Sequence, residues 1–340
     1  DVSIVSDIAG TTTDPVEKPM ELLPIGPVLF IDTAGIDDVG ALGDLRIKKT
    51  VQAFDRTDIA LLLAPGGRFG DFERKLLDEF RSRNIPVIAV FNKADVARPE
   101  PELLEELAAE KVPHVETVAT ETQSSRGRKG IAELREALIA ATPDEFLSPP
   151  SILSDLLPPG ELAVLVVPID KEAPKGRLIL PQVQSIRDLL DGDQYCMVVK
   201  ERELRDAIDR LKRPPALVVT DSQAFLKVVG DTPPGVPMTS FSILFARQKG
   251  NLTAMVEGAS GIERLDTGDR VLICEACSHH PITEDIGRVK IPRWLEQYVG
   301  GKLEITHTHG HDFPDDLAEY KLVIHCGACM WNRREMLTRI

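Results

Sequence analysis

No apolar run in this 340-residue chain approaches the ~20 residues that a membrane-spanning helix requires. The runs Ile59–Leu63 and Leu162–Ile169 are short enough to be buried elements instead. No charged segment precedes an apolar stretch at the start, so nothing reads as a signal peptide. Basic charge is also in deficit, since 40 Lys and Arg face 54 Asp and Glu for a net charge of −14. That balance argues against nonspecific binding to nucleic acid or to anionic membranes, both of which depend on basic surface. Cysteine is scarce and odd in number, five in all and mostly clustered. Such usage suits ligands in a reducing compartment better than a disulfide framework, and the cytoplasm is the expected location. Two phosphate-binding fingerprints are missing as well. Neither G-x-x-x-x-G-K-[ST] nor a G-x-G-x-x-G after a strand occurs. The second absence counts against a dinucleotide redox enzyme.

What is present supports several domains. The chain is long enough for two or three, with 43% hydrophobic residues for cores and 28% charged residues for a hydrated surface. Helical spacing of Leu, Ile and Ala over Asp71–Arg83, Pro101–Lys111 and Gly130–Ala141 alternates with apolar strand runs at Ile59–Leu63, Val87–Phe91 and His114–Ala119. Alternation of this kind predicts a doubly wound parallel sheet. Prolines 143, 149, 150, 158 and 159 mark a boundary after it. The next stretch repeats the pattern, with strands expected at Leu162–Ile169, Cys196–Lys200, Leu217–Thr220 and Phe241–Phe245, and helices at Gln182–Leu190 and Glu201–Leu211. It carries no catalytic constellation. Ala173–Gly176 and Thr220-Asp221-Ser222-Gln223 are polar strand-end features that turn chemistry explains, and Cys196 reads as a small buried hydrophobe. A sheet without chemistry suits dimerisation or docking. The expected architecture is three α/β domains, at 1–148, 151–249 and 250–340.

The first domain carries three ordered motifs. Asp7-Ile8-Ala9-Gly10-Thr11-Thr12-Thr13-Asp14-Pro15 is followed by Asp32-Thr33-Ala34-Gly35 after an apolar run, then by Asn92-Lys93-Ala94-Asp95 after another. In this order they resemble the switch I, D-x-x-G and N-K-x-D elements of a GTPase. The chemistry matches the residue types. Guanine presents N1–H and N2–H on one edge, and the Asp95 carboxylate can accept both. Adenine lacks that donor pair and would leave the carboxylate unpaired. Asn92 would bond the other edge of the base while the Lys93 stem packs over the ring. Asp32 is expected at the Mg²⁺ shell with Thr12 supplying a hydroxyl, and the Gly35 N–H can approach the γ-phosphate. Thr11 and Thr13 offer the same hydroxyl chemistry as Thr12. The phosphate loop of this class precedes switch I, so the chain is expected to be a fragment lacking its first βα unit and to bind nucleotide poorly. The residue after Gly35 is Ile36, where many GTPases carry the Gln that orients water. Slow hydrolysis follows, helped by another group or by a bound cation such as K⁺, and no residue is assigned as catalytic.

The second chemical signal is at the other end. Cys277-Ser278-His279 follows the apolar run Val271-Leu272-Ile273, and Cys326-Gly327-Ala328-Cys329 follows Leu322-Val323-Ile324. The 46 residues between His279 and Cys326 allow a full crossover, so two neighbouring strand ends would present one site. Three thiolates and an imidazole can hold zinc or an iron–sulfur cluster, and spacing alone leaves both open. His280 and His325 are adjacent alternatives to His279. Cys274 reads as structural or spare. His307, His309 and His311 alternate as on one strand face, where a solvated strand end is the plainer reading than a second metal.

Taken together, these motifs resemble the HydF family of [FeFe]-hydrogenase maturation GTPases. The resemblance extends through Val166-Val167-Pro168-Ile169-Asp170, Ala173-Pro174-Lys175-Gly176-Arg177, Thr283-Glu284-Asp285-Ile286-Gly287-Arg288 and His325-Cys326-Gly327. It implies a GTPase domain, a dimerisation domain and a cluster-binding domain. It further implies a [4Fe–4S] cluster on Cys277, Cys326 and Cys329, with His279 as candidate fourth ligand. A protein of this kind is a scaffold that receives a diiron precursor from two radical-SAM maturases and passes it to apo-[FeFe]-hydrogenase, with GTP and GDP regulating the partnerships. The alternative that the residues leave open is a GTP-regulated zinc-binding interaction protein.

Overall fold

The computed structural model describes residues 16–33, 53–121, 125–147, 150–168, 176–276, 285–314 and 316–340. The chain divides into two compact units, Asp1–Pro149 and Pro150–Ile340. Among the described residues no helix is long and apolar enough to cross a membrane.

In the first unit, β1 (Val16–Leu22) and β2 (Gly26–Asp32) form an antiparallel hairpin. Next come β3 (Ala60–Pro65), β4 (Val87–Asn92) and β5 (His114–Glu116), a parallel sheet in the order β3-β4-β5. Val87, Ile88, Ala89, Val90 and Phe91 of β4 are all buried, as a central strand covered on both faces requires. On one face Ala89 and Phe91 pack with Leu62, Leu77, Phe80 and Leu107, which places the Asp71–Ser82 and Pro101–Ala109 helices there. On the other, Ile88, Val90 and Val115 meet Leu134 and Leu138 of the Ser125–Ala141 helix. This is the doubly wound arrangement that the alternating pattern predicts. β5 ends three residues earlier than expected, and past its end the Thr117 hydroxyl and the Ala119 N–H turn to the Asn92 side chain.

The second unit holds two parallel sheets. The larger has the order β7-β6-β8-β9, built from β6 (Leu162–Val166), β7 (Tyr195–Val199), β8 (Leu217–Thr220) and β9 (Met238–Ser240). Alternate residues of β6 divide between two cores, Ala163 and Leu165 facing Leu189, Leu244 and Phe245, and Val164 and Val166 facing Leu204, Ile208 and Val228. The expected strand at Phe241–Phe245 is instead a helix, Phe241–Lys249. Phe241, Leu244 and Phe245 are buried while Ser242 and Ile243 are exposed, a spacing of three and four rather than two. The Ser240 hydroxyl caps the start by accepting from the Ile243 N–H at 3.2 Å. The edge position falls to β9, which the sequence reading did not find.

The smaller sheet has β10 (Arg270–Glu275) between β11 (Glu304–His309) and β12 (Leu322–His325), all parallel. Val271, Ile273 and Leu295 form its core on one face with Ile262, Ile291, Ile305 and Ile324. Leu295 comes from the Ile291–Val299 helix, and the Arg333–Arg339 helix closes the chain.

Candidate functional site

The N-K-x-D residues stand where β4 ends. Asn92 turns its Oδ1 inward to accept from the Thr117 hydroxyl and the Ala119 N–H, both at 3.2 Å. Lys93 adopts a left-handed conformation (φ 59°). Ala94 is buried, and its N–H donates to the Thr117 carbonyl at 3.2 Å. The Lys93 carbonyl takes the N–H of Val96 at 2.9 Å and of Ala97 at 3.3 Å. Lys93 and Asp95 are therefore exposed on either side of a pinned Ala94, which leaves both side chains available to a base. Thr117 and Ala119 hold this loop although the sequence reading gave them no role. The signal was a polar Thr at the end of an apolar run, which a strand assignment absorbed.

The turn after β3 supports the same loop. The Gly66 N–H donates to the Asn92 carbonyl at 3.0 Å. Gly67 has φ 71°, and a Cβ there would meet the Arg98 carbonyl carbon and oxygen at 2.4 Å and the Pro99 nitrogen at 2.5 Å. Backbone atoms cannot swing aside as a side-chain tip would. Gly67→Ala is expected to cost about 1–3 kcal/mol, read as a lower urea midpoint at unchanged slope. A wild-type midpoint would remove Gly67 from this account.

The Mg²⁺ residues are only partly placed. Asp32 is the last residue of β2, exposed and opposite Val16. Thr12 and Gly35 lie outside the described residues.

At the other end of the chain, β10 and β12 are hydrogen-bonded neighbours with Cys274 opposite His325. Both strands leave the sheet at the same edge. The Cys326 N–H donates to the Cys274 carbonyl at 3.1 Å. The Ala276 N–H then donates to the Cys326 sulfur at 3.1 Å. The residue immediately before Cys277 thus touches the thiol of Cys326. Cys277 and His279 themselves lie outside the described residues, as does His280. Ala328 is buried with φ 49°, and its carbonyl accepts from the Trp331 N–H at 3.0 Å, which closes the turn carrying Cys329. Burial pushes the Cys326 thiol up, against backbone N–H groups that pull it down. Burial, with Cys326 beside it, pushes Cys329 up to about 11. Without a metal both are protonated at neutral pH, so ligation would release protons. Two soft sulfur donors on one closed turn, with the residue before a third cysteine against one of them, fit a thiolate-held metal or cluster. Among the described residues alone, no group of three or more His, Cys, Asp or Glu could hold a metal.

The remaining histidines separate. His325 points its Nδ1 at its neighbour's carbonyl, Cys326 O, at 2.8 Å. Burial lowers its pKa, the backbone contact opposes that, and Arg339 adds to the lowering. A neutral ring with Nδ1–H donating leaves Nε2 facing the Arg339 guanidinium at 3.5 Å. His325 is therefore occupied elsewhere than at the thiols. His307 and His309 share a face of β11, since they oppose Ile273 and Glu275 in register. His309 Nδ1 meets the Glu275 carboxylate at 3.1 Å. His311 lies beyond the strand, against Glu335 at 2.7 Å and stacked on Trp331. Cys274 is buried on the opposite face from His309, its pKa raised by burial and lowered by a contact with Thr308. Cys196 packs against the core of the larger sheet but is only half-buried, less than the fully buried small hydrophobe expected.

Residues 152–250 match a family model described as the hydrogen maturase F dimerization domain, and residues 253–340 match the hydrogen maturase F tetramerization domain. Those two segments make up more than half of the chain. The chain belongs to the hydrogen maturase F family. Residues 1–93 of this hydrogen maturase F chain match a family described as a 50S ribosome-binding GTPase. Among curated proteins it is similar to the GTPase Der of Wolinella succinogenes, 34% identical over 144 residues, covering 40% of this chain and 30% of that protein. The tRNA modification GTPase MnmE of Synechococcus is 37% identical over 142 residues, covering 41% and 28%. The chain thus spans less than a third of these relatives' lengths. A solved structure of Era with MgGDPNP and a segment of 16S ribosomal RNA aligns at a TM-score of 0.36 and 17% identity, over 68% of this chain and 91% of that one.

Proposed function

We propose that this chain is a GTP-binding scaffold and carrier in hydrogenase maturation. Cys277, Cys326 and Cys329 would hold a [4Fe–4S] cluster, with His279 as candidate fourth ligand, and the cargo would be a diiron precursor passed to apo-[FeFe]-hydrogenase. Two radical-SAM maturases would be the source of that precursor. In the GTPase domain (1–148), Asn92, Lys93 and Asp95 would read guanine, Gly35 would approach the γ-phosphate, and Thr12 and Asp32 would hold Mg²⁺. Hydrolysis would be slow, and the GTP or GDP state would regulate partnerships. Residues 151–249 would form a homodimer, and residues 250–340 would carry the cluster. The cytoplasm, where thiols stay reduced, is the compartment this chemistry needs.

The observation that carries the reading is the Ala276 N–H on the Cys326 sulfur. It sets Ala276, the residue before Cys277, against the Cys326 thiol, which supports reading the two cysteine groups, far apart in sequence, as one site. A cluster bound by these residues would supply an iron with an exchangeable position. The protein's own part would be to hold Cys326 and Cys329 half-buried on one turn, away from oxidants. Thiols so arranged also suit zinc, and a GTP-regulated zinc-binding interaction protein is the reading that metal analysis must exclude.

Anaerobic reconstitution with iron and sulfide, followed by assay of iron, acid-labile sulfide and zinc, separates the two. About four irons and four sulfides per chain are expected for a [4Fe–4S] cluster. About one zinc and no sulfide would overturn the carrier reading.

A further inference from the structure

The Cys326–Cys329 turn is not held by its own sheet alone. Gly327 lies against the backbone of Ser242, and a Cβ at position 327 would meet the Ser242 carbonyl oxygen at 2.6 Å and its Cα at 3.2 Å. Ser242 is the second residue of the Phe241–Lys249 helix. Its hydroxyl is 3.0 Å from that of Ser222. Ser222 stands in the short turn just beyond β8, where the Asp221 carboxylate accepts from the Gln223 N–H at 3.0 Å. The polar Thr220-Asp221-Ser222-Gln223 strand end therefore reaches the ligand turn through one serine. At the other end of the same helix, Arg333 donates to the carbonyls of Gln248 at 2.6 Å and Gly250 at 3.1 Å. Cys329 itself packs against the core that contains Phe241, Leu244 and Phe245.

We propose that Gly327 and Ser242 are positioning residues, the seat through which residues 150–249 hold Cys326 and Cys329 in ligating geometry. The physical case rests on three contacts of different kinds. The first is a backbone approach that only glycine permits. The second is a hydroxyl pair that fixes Ser242 to the carboxyl end of β8 in the larger sheet. The third is apolar packing of Cys329, which buries the thiol in a core belonging to another sheet. A thiolate ligand must be held within a few tenths of an ångström of its place, so a ligand turn resting on a neighbouring segment inherits that segment's position. Any change that moves the Phe241–Lys249 helix, including a change of partner at the surface of residues 150–249, moves the thiol pair with it. Ligand presentation is thereby coupled to a segment that contributes no ligand.

The inference rests on reading Cys326 and Cys329 as ligands, and its test keeps the two apart. Metal-free protein would be alkylated anaerobically and each cysteine followed by mass spectrometry, with Cys196 and Cys274 as internal references. Gly327→Ala is expected to speed labelling of Cys326 and Cys329 by about tenfold or more, while the references stay at wild-type rates. Iron retained after reconstitution should fall in the same variant. Rates for Cys326 and Cys329 within about twofold of wild type would overturn the seat. So would an equal rise at all four thiols, which would signal general loosening. Ser222→Ala/Ser242→Ala removes only two hydroxyls and covers the case in which Gly327→Ala does not fold. Labelling about threefold faster at Cys329 alone or with Cys326 is expected there, and no change would equally overturn the proposal. Wild-type protein that takes up no iron would sink the cluster reading while leaving the alkylation result to decide the seat.

Discussion

Cys329→Ala is expected to abolish cluster binding, taking iron and sulfide from about four per chain to below about one. Two sulfurs cannot hold a cubane whose third and fourth corners are not both supplied by protein. Among the described residues the thiol also has no free substitute nearby. His325, the nearest imidazole in sequence, is committed to the Cys326 carbonyl and to Arg339, and Cys274 lies within the β10 ladder opposite His325 and Thr308. The loss should be specific. Cys329 is half-buried against the core of the larger sheet, and trimming one sulfur from such a site costs on the order of 1 kcal/mol. Oligomeric state and the thermal transition should therefore change little. Collapse of oligomer and cluster together would show that Cys329 acts in packing, and full iron content in the variant would remove it from the ligand set. Because burial holds both Cys326 and Cys329 in the thiol form, uptake in the wild type should release protons and slow as pH falls.

Much of the framework behind that prediction is legible in the chain, and the failures are local. β4 could be read because five consecutive buried apolar residues ending in Asn-Lys-Ala-Asp leave little alternative. β10 and β12 could be read from apolar runs that each lead into cysteine, although β12 is only partly buried; they are neighbours as expected, but the stretch between them also supplies β11 on the other side of β10. Phe241–Phe245 could not. Five residues with apolar side chains at all positions but Ser242 satisfy a strand as well as a helix. What decides between them is the Ser240 cap and the burial of Phe241, Leu244 and Phe245 on one side. β9, three residues long, has too little pattern to be seen. At the sites, residue types announced Asn92, Asp95, Cys326 and Cys329. The residues that position them were silent, since Thr117, Ala119, Gly67, Gly327 and Ser242 act through backbone atoms or single hydroxyls. Contacts of that kind leave no periodicity. They depend on which segments the fold brings together, and only the folded chain shows them.

Asp95→Asn is expected to exchange the base that the first unit prefers. The carboxylate accepts from both N1–H and the N2 amino group of guanine. An amide keeps one acceptor and puts a donor where the amino group points, so donor would meet donor. Xanthine has a carbonyl oxygen at that position and an N1–H beside it, and the same amide satisfies both. GTP affinity should fall by about 100-fold or more, with xanthosine triphosphate binding better than GTP, because unpaired polar groups in a closed site discriminate strongly. Asp95 is exposed and flanks the buried Ala94. Substitution should therefore leave the loop geometry intact, since the contacts that shape it come from Asn92, the Lys93 carbonyl and Thr117. The measurement is competition against a fluorescent guanine nucleotide. Unaltered preference for GTP over xanthosine triphosphate would mean that another residue reads the guanine edge. Loss of both nucleotides would place Asp95 in the folding of the loop instead. A clean reversal would tie base selection to this one carboxylate, at the end of the strand that the sequence marks most plainly.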